Sequence, residues 1–247
     1  MKENLSDKLG DFDSLAGGLI PARDISLNVK RAFDDVESAC VAAGREPLDV
    51  TLLIATKYAN VEQINQAIAS GVKVIGENRV QQLLEHYEGV ACEVSWHFIG
   101  RLQTNKVKYI IDKVDLIHSV DSIKLATEID ACAKKIGKVQ DILIQVNLFD
   151  EESKGGVGLA EFDELIKNAK KLENIRICGL MYMPPQQIVT QMLHKCKDFY
   201  LDFCEKMYNN KYKGILSFGT SGDFALAIKY GSTIVRLGRS VFYDNAR

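Results

Sequence analysis

Short apolar runs alternate with amphipathic segments along most of the chain. Nearly every run is followed by a segment with helical spacing, such as DSIKLATEIDACAKKIG. The eight apolar runs are DVTLLIATK, VKVIG, VSWHFIG, VDLIHSV, DILIQVNL, RICGLMYM, GILSFG and STIVRLG. Runs that are apolar throughout are typical of parallel strands covered on both faces. Strands that alternate with helices therefore predict a parallel α/β fold.

The number of units distinguishes a closed barrel from an open sheet. Eight units in about 200 residues favour a single-domain (β/α)₈ barrel of the TIM type. An open doubly wound sheet is the alternative, but ATKYAN follows the first run, where an open nucleotide-binding fold has a Gly-rich phosphate fingerprint.

The chain before the first strand divides into a tail and a helix. Residues 1–20 are polar and aperiodic, so we expect a loose tail there and the barrel domain over residues 21–247. An additional helix is predicted from Pro21, in its first turn, to Ala43, with Gly44 as the C-terminal cap.

Composition and charge exclude several classes of protein. The 247 residues are 47% hydrophobic with a net charge of −2, and no long Lys/Arg block suggests nucleic-acid binding. No apolar run is long enough to cross a bilayer, and the acidic start lacks a signal core. Six cysteines without C-x-x-C spacing fit reduced thiols better than disulfides or zinc ligands. We expect a cytoplasmic protein that binds neither nucleic acid nor membrane.

A lysine closes the first apolar run. Functional groups of such barrels lie at the C-terminal ends of the strands, and Lys57 follows TLLIAT at that position. A neutral lysine amine attacks an aldehyde to form a Schiff base. The alternative is a lysine at the barrel mouth that simply reaches solvent, and position alone favours this alternative.

The loops after the seventh and eighth runs have the composition of an anion site. They read Gly219-Thr220-Ser221-Gly222-Asp223 and Gly238-Arg239-Ser240. Barrel phosphate sites are commonly built from these two loops, and small residues let backbone N–H groups approach an anion. Asp223 has the wrong charge for a phosphate ligand and fits a helix start. Two ordinary turns are the alternative.

Three further polar residues lie in or beside the runs. Arg236 in the eighth run either points inward and needs a partner, such as a cofactor ring nitrogen, or faces outward and pairs with a carboxylate. Asn78 follows the second run and either caps the next helix or binds a ligand; capping is favoured. His97 in the third run fits a structural group better than a general base.

Several segments are similar to a known family. The chain resembles the pyridoxal phosphate homeostasis proteins, single-domain relatives of the N-terminal barrel of alanine racemase, from about residue 25 to 243. The matching segments, in order, are LLIATKY, GENRVQQ, WHFIGRLQTNKVK, IHSVDS, QVN…EESKGGV and LSFGTSGDFALAIKYGSTIVRLGRSVF.

The resemblance implies a cofactor and a site. It implies that Lys57 carries pyridoxal 5′-phosphate (PLP) as a Schiff base and that Arg236 faces the pyridine nitrogen. Asn78 would lie near the cofactor, and the phosphate would be surrounded by Ser221, Gly238 and Arg239.

The sequence departs from the family pattern at five positions around this site. They are Tyr182, Phe218, Thr220, Arg239 and Tyr243. The family has a small residue in place of Arg239, so we expect a cation to be added beside the phosphate. We expect Tyr182 and Phe218 to narrow the mouth of the barrel.

The resemblance also bears on catalysis. In alanine racemase one acid/base group is a tyrosine from a second domain, whereas this sequence ends eleven residues after Arg236. An arginine at the ring nitrogen also disfavours its protonation and weakens the electron sink. We therefore expect a monomeric carrier or buffer of PLP with little or no catalysis, and PLP-dependent apoenzymes or amino acids as its candidate partners. The alternative is a small PLP-dependent amino-acid racemase.

Overall fold

Eight parallel strands close into one barrel in sequence order, so the predicted (β/α)₈ architecture is confirmed. The structure is a computed structural model that describes residues 21–91, 93–149, 151, 154–183, 190–209 and 214–244. The strands are β1 (Thr51–Ala55), β2 (Val74–Glu77), β3 (Ser95–Phe98), β4 (Leu116–Val120), β5 (Gln140–Val146), β6 (Ile175–Tyr182), β7 (Ile215–Ser217) and β8 (Ile234–Leu237). Strand β1 pairs with β8 as well as with β2, which closes the barrel.

Helices surround the barrel, and one precedes it. They are α1 (Ile25–Ala42), α2 (Val61–Ala69), α3 (Val80–Gly89), α4 (Ile123–Lys135), α5 (Leu159–Ala169), α6 (Thr190–Tyr208), α7 (Phe224–Lys229) and α8 (Arg239–Phe242). A 3₁₀ helix, Thr104–Tyr109, takes the place of an α-helix between β3 and β4. Asn60 caps α2, because its side chain accepts from the N–H of Gln63 at 2.9 Å. No helix in the described ranges is long and apolar enough to span a membrane.

Alternation along each strand sorts side chains between two apolar layers. In β1, Leu52 and Ile54 belong to the large core between strands and helices, whereas Leu53 and Ala55 belong to a small cluster inside the barrel. Because successive strand residues point to opposite faces, Lys57 continues the inner face. The fold therefore brings this lysine to the mouth of the barrel.

The N-terminal helix differs from the prediction at its start. Helix α1 begins at Ile25, where the side chain of Asp24 accepts from the N–H of Leu27 at 2.8 Å. Pro21 is not in the first turn; it forms an antiparallel bridge with Tyr243, so this prediction was wrong. The prediction of a C-terminal cap at Gly44 is confirmed, because its N–H donates to Val41 and its φ is 66°. The expected tail at residues 1–20 lies outside the described residues.

Candidate functional site

A cavity of about 370 Å³ opens at the C-terminal mouth of the barrel. All six residues proposed from the sequence line it: Lys57, Asn78, Ser221, Arg236, Gly238 and Arg239. The remaining lining residues are Ala55, Tyr58, Ile99, Met181, Met183 and Thr220. Residues that follow β1, β2, β7 and β8 thus meet at one place, as the C-terminal ends of parallel barrel strands must.

Lys57 is half-buried at the wall of this cavity. Its Nζ lies 4.6 Å from the centroid of the Tyr58 ring. Its carbonyl oxygen accepts from Nε2 of Gln82 in α3 at 3.2 Å, and the carbonyl of Tyr58 accepts from the hydroxyl of Tyr243 at 3.3 Å. The backbone that carries the amine is therefore held from two sides.

The loops after β7 and β8 come together across the cavity. The Oγ atoms of Ser221 and Ser240 are 3.5 Å apart. Within the described part of the chain, the backbone N–H groups of Ser221, Arg239 and Ser240 donate to no other group. Unpaired N–H groups beside an exposed guanidinium suit an anion such as a phosphate.

Asp223 turns back into its own loop rather than into the cavity. Its Oδ1 accepts from the N–H of Thr220 at 2.6 Å and from the Thr220 hydroxyl at 2.9 Å. It is also the residue that precedes α7, so the predicted role at a helix start is confirmed.

Arg236 points into the barrel, which removes the alternative of an outward arginine. It is 5% exposed and has no carboxylate within salt-bridge distance among the described residues. Its Nη1 donates to the carbonyl and the hydroxyl of Ser217 at 3.0 and 2.6 Å. Its Nη2 contacts the carbonyl of Tyr182 at 3.3 Å and the sulfur of Met183 at 3.1 Å.

One donor of this guanidinium remains for a ligand. The Nε–H of Arg236 finds no acceptor among the described residues, and Arg236 lines the cavity. Burial lowers the pKa of Arg236 to about 10, and the charge of Asp223 opposes this shift. The side chain thus stays charged near neutral pH, and a buried charge without a carboxylate calls for a polar partner.

A polar layer inside the barrel was missed from the sequence. His118 of β4 lies 3.0 Å from Ser217 of β7 through Nδ1 and 3.0 Å from Nδ1 of His97 in β3 through Nε2. Burial is the main cause that lowers the pKa of His97 to about 4 and that of His118 well below its usual value. His97 is therefore a partnered structural group, as the sequence favoured. Each of these residues lies within an apolar run, and Ser217 is the single polar side chain of GILSFG, a signal that could have revealed part of the layer.

Asn78 does not cap the helix that follows it, so the favoured interpretation was wrong. Helix α3 starts after Arg79, which makes no side-chain capping bond. The Oδ1 of Asn78 is buried and has no hydrogen-bond partner in the part of the chain that the structure describes. Because Asn78 lines the cavity, this amide oxygen can accept from a ligand.

Tyr182 and Phe218 do not narrow the mouth, contrary to expectation. Both belong to the core between strands and helices, where they are 1% and 0% exposed and their ring centroids are 6.1 Å apart. Burial raises the pKa of Tyr182 well above its usual value. Met181 and Met183 of the same segment line the cavity instead, and Pro184 lies outside the described residues.

The donors and acceptors of the cavity fit a phosphorylated aromatic aldehyde. The amine of Lys57 matches an aldehyde, the unpaired N–H groups match a phosphate, and the free Nε–H of Arg236 matches a ring nitrogen. The unpartnered Oδ1 of Asn78 adds an acceptor. PLP has these functional groups.

The fold and the site define a class that comparison with known proteins also finds. The family model of the alanine racemase N-terminal domain matches residues 53–246. The pyridoxal phosphate homeostasis protein of Aquifex aeolicus is 42% identical over 219 residues, which cover 87% of this chain and 95% of the relative. The protein of the same name from Escherichia coli K12 is 33% identical over 224 residues, covering 89% and 96%.

Solved structures agree with this assignment. A protein from Bifidobacterium adolescentis, described as unknown, has a TM-score of 0.81 and 34% identity, covering 89% of this chain and 95% of its own. PipY of Synechococcus elongatus, solved with PLP bound, has a TM-score of 0.74 and 26% identity, covering 84% and 99%. The chain is a barrel of the alanine racemase N-terminal class. Within that class it belongs to the pyridoxal phosphate homeostasis protein family.

Proposed function

We propose that this protein binds PLP as a Schiff base on Lys57 and serves PLP homeostasis as a carrier or buffer of the cofactor. The convergence of Lys57, Arg236 and the two anion-binding loops on one cavity is the observation that carries the proposal. The names of the relatives and the PLP-bound state of PipY support it.

Each residue of the cavity has a distinct role in binding. Lys57 would hold the cofactor through its amine, which would condense with the aldehyde of PLP and release water. The N–H groups of Ser221, Arg239 and Ser240 hold the phosphate, while Gly238 allows the close approach of β8 to β1. The guanidinium of Arg239 adds positive charge beside the phosphate.

The free Nε–H donor of Arg236 favours a carrier over a racemase. Bound PLP supplies an electron sink for carbanions, and that sink is strongest when the ring nitrogen is protonated. The donating Nε–H of Arg236 favours an unprotonated nitrogen. Among the described lining residues there is no carboxylate or histidine, and Tyr58 is the one candidate for the second acid/base group that a racemase needs.

A carrier of PLP requires recipients of the cofactor and a compartment in which it meets them. Recipients of the cofactor are PLP-dependent apoenzymes, and amino acids that compete with Lys57 for the aldehyde would release it. We place the protein in the cytoplasm as a monomer, because cysteines without C-x-x-C spacing suit a reducing compartment and the cavity is built within one chain.

The visible absorbance of the purified protein with added PLP tests the proposal. We expect a Schiff-base band that borohydride reduces onto Lys57 and that Lys57→Ala abolishes. Lys73→Ala, at an exposed lysine away from the cavity, is the matched control and should keep the band. An unchanged band in Lys57→Ala would overturn the assignment. Formation of D-amino acids at rates of dedicated racemases would replace the carrier by the racemase.

A further inference from the structure

A chain of hydrogen bonds crosses the interior of the barrel below the cavity. It runs from Arg236 in β8 to Ser217 in β7, then to His118 in β4 and to His97 in β3. The three links measure 2.6, 3.0 and 3.0 Å. All four residues are at least nine-tenths buried, so water does not compete for these bonds.

The guanidinium gives this chain of hydrogen bonds its direction, because Nδ1 of His118 is the one acceptor among the described residues for the hydroxyl hydrogen of Ser217. Arginine only donates, so the Oγ of Ser217 accepts from Arg236 and its hydroxyl hydrogen is free to donate to Nδ1 of His118. A neutral His118 that accepts at Nδ1 carries its proton on Nε2 and donates to Nδ1 of His97. By the same logic His97 carries its proton on Nε2.

The surroundings of the two imidazoles favour their neutral forms. Burial is the largest cause that lowers the pKa of both rings. The positive charge of Arg236 further lowers the pKa of His118. Asp115 is the charged group that favours protonation of His97, and its effect is smaller than that of burial. Neutral rings with one donor and one acceptor each are what an ordered chain requires.

We propose that Ser217, His118 and His97 are positioning residues that hold Arg236 in one orientation for the cofactor. Both Nη1 hydrogens are taken up by Ser217, and Ser217 is in turn fixed by the histidines. The Nε–H of Arg236 would then stay available to the ring nitrogen of PLP. This role rests on the proposed function, whereas the directed series of hydrogen bonds exists without the cofactor.

Imidazole ¹⁵N NMR of the protein without PLP tests the order of the chain. At neutral pH we expect His97 and His118 to be neutral with the proton on Nε2. Ser217→Ala removes the hydroxyl donor, so the Nδ1–H form of His118 should become populated. Ser217→Thr keeps the hydroxyl and should restore the original tautomer.

Titration of the same variants with PLP tests the positioning role. Ser217→Ala should weaken PLP binding about tenfold, the effect of one lost hydrogen bond to a charged group, and should shift the visible band. Ser217→Thr should recover both, and Ser217→Cys, with a weaker donor, should fall between them and serves if the alanine variant does not fold. His86→Gln is the control, because His86 is equally buried but bonds to Glu77 outside the barrel.

The outcomes separate this proposal from the proposed function. Unchanged tautomers and unchanged PLP affinity in Ser217→Ala would overturn the positioning role. An equal loss of affinity in His86→Gln would overturn it as well, since general destabilisation would then explain the effect. If the unmutated protein forms no borohydride-reducible band, the proposed function fails. The tautomers of His97 and His118 then decide alone whether the hydrogen bonds run in the proposed direction.

Discussion

Gly238 is the residue at which β8 approaches β1 closely at the mouth of the barrel. A Cβ there would lie 2.7 Å from the carbonyl oxygen of Ala55, a backbone atom that cannot turn away. Lys57 follows Ala55 by two residues and Arg239 follows Gly238 directly. A methyl group at this point would therefore separate the amine of Lys57 from the segment that follows β8.

We predict that Gly238→Ala lowers the free energy of unfolding by about 1–3 kcal/mol and weakens PLP binding. Urea denaturation and PLP titration measure the two effects. Gly222→Ala is the stability control, because a Cβ at Gly222 meets nothing within 4 Å. Equal stability of both variants would show that the close approach is not required.

His97 makes the stability of the barrel depend on pH. Its pKa falls to about 4 in the folded protein from a usual value of 6.5, mainly because it is buried. The unfolded chain therefore binds a proton between these pH values and the folded chain does not. Stability is fully present above about pH 6.5 and is lost as the pH falls toward 4.

We predict that this histidine alone removes about 3 kcal/mol of stability between pH 7 and pH 4. Urea unfolding of the protein and of His97→Gln at pH 7.5, 6 and 5 measures the effect. The variant should be less stable at pH 7.5 but should show a smaller fall toward pH 5. Parallel pH profiles for the two proteins would contradict the assignment of the effect to His97.

At the scale of elements, regular alternation was readable from the sequence and its interruptions were not. Continuous apolar runs predicted all eight strands and the closed barrel. The ends of these runs predicted that Lys57 and the loops after β7 and β8 lie at the mouth of the barrel. In β6 the pairing with β5 shifts between Ile142 and Leu143, so that Leu143 lies opposite Gly179. This irregularity exchanges the two faces of β6, and Tyr182 consequently packs outside the barrel while Met181 lies inside.

The polar layer shows a second limit of sequence reasoning. His118 and Ser217 are 99 residues apart and meet only because the closed barrel turns β4 and β7, which are not neighbours, toward a common interior. Period and composition indicate which strand residues are polar, but not which strands are opposite at the same height. The inward direction of Arg236 was therefore implied by the resemblance alone, and the residues that hold it were not predicted.

At the scale of the whole molecule, the first helix supports the segment that follows β8. Helix α8 begins at Arg239, immediately after Gly238, and packs against α1. The Nδ2 of Asn28 in α1, which is 4% exposed, donates to the carbonyl of Val241 in α8 at 3.2 Å. The N–H of Ala22 donates to the carbonyl of Phe242 at 2.9 Å. The segment before the barrel thus fixes the element that carries the Arg239 and Ser240 N–H groups.

We predict that Asn28→Ala lowers the free energy of unfolding by about 1–3 kcal/mol, because the buried carbonyl of Val241 loses its side-chain donor. Phosphate binding should weaken with it, since α8 is then held less firmly. Fluorescence of Trp96, the single tryptophan, reports urea unfolding, and competition by inorganic phosphate against PLP reports the loop. Asn65→Ala is the matched control, because its amide also donates to a carbonyl, that of Gly89 at 3.2 Å, but in an exposed position. Its cost should stay below about 0.5 kcal/mol. Equal losses of unfolding free energy in the two variants would mean that the contact between α1 and α8 does not stabilise the site.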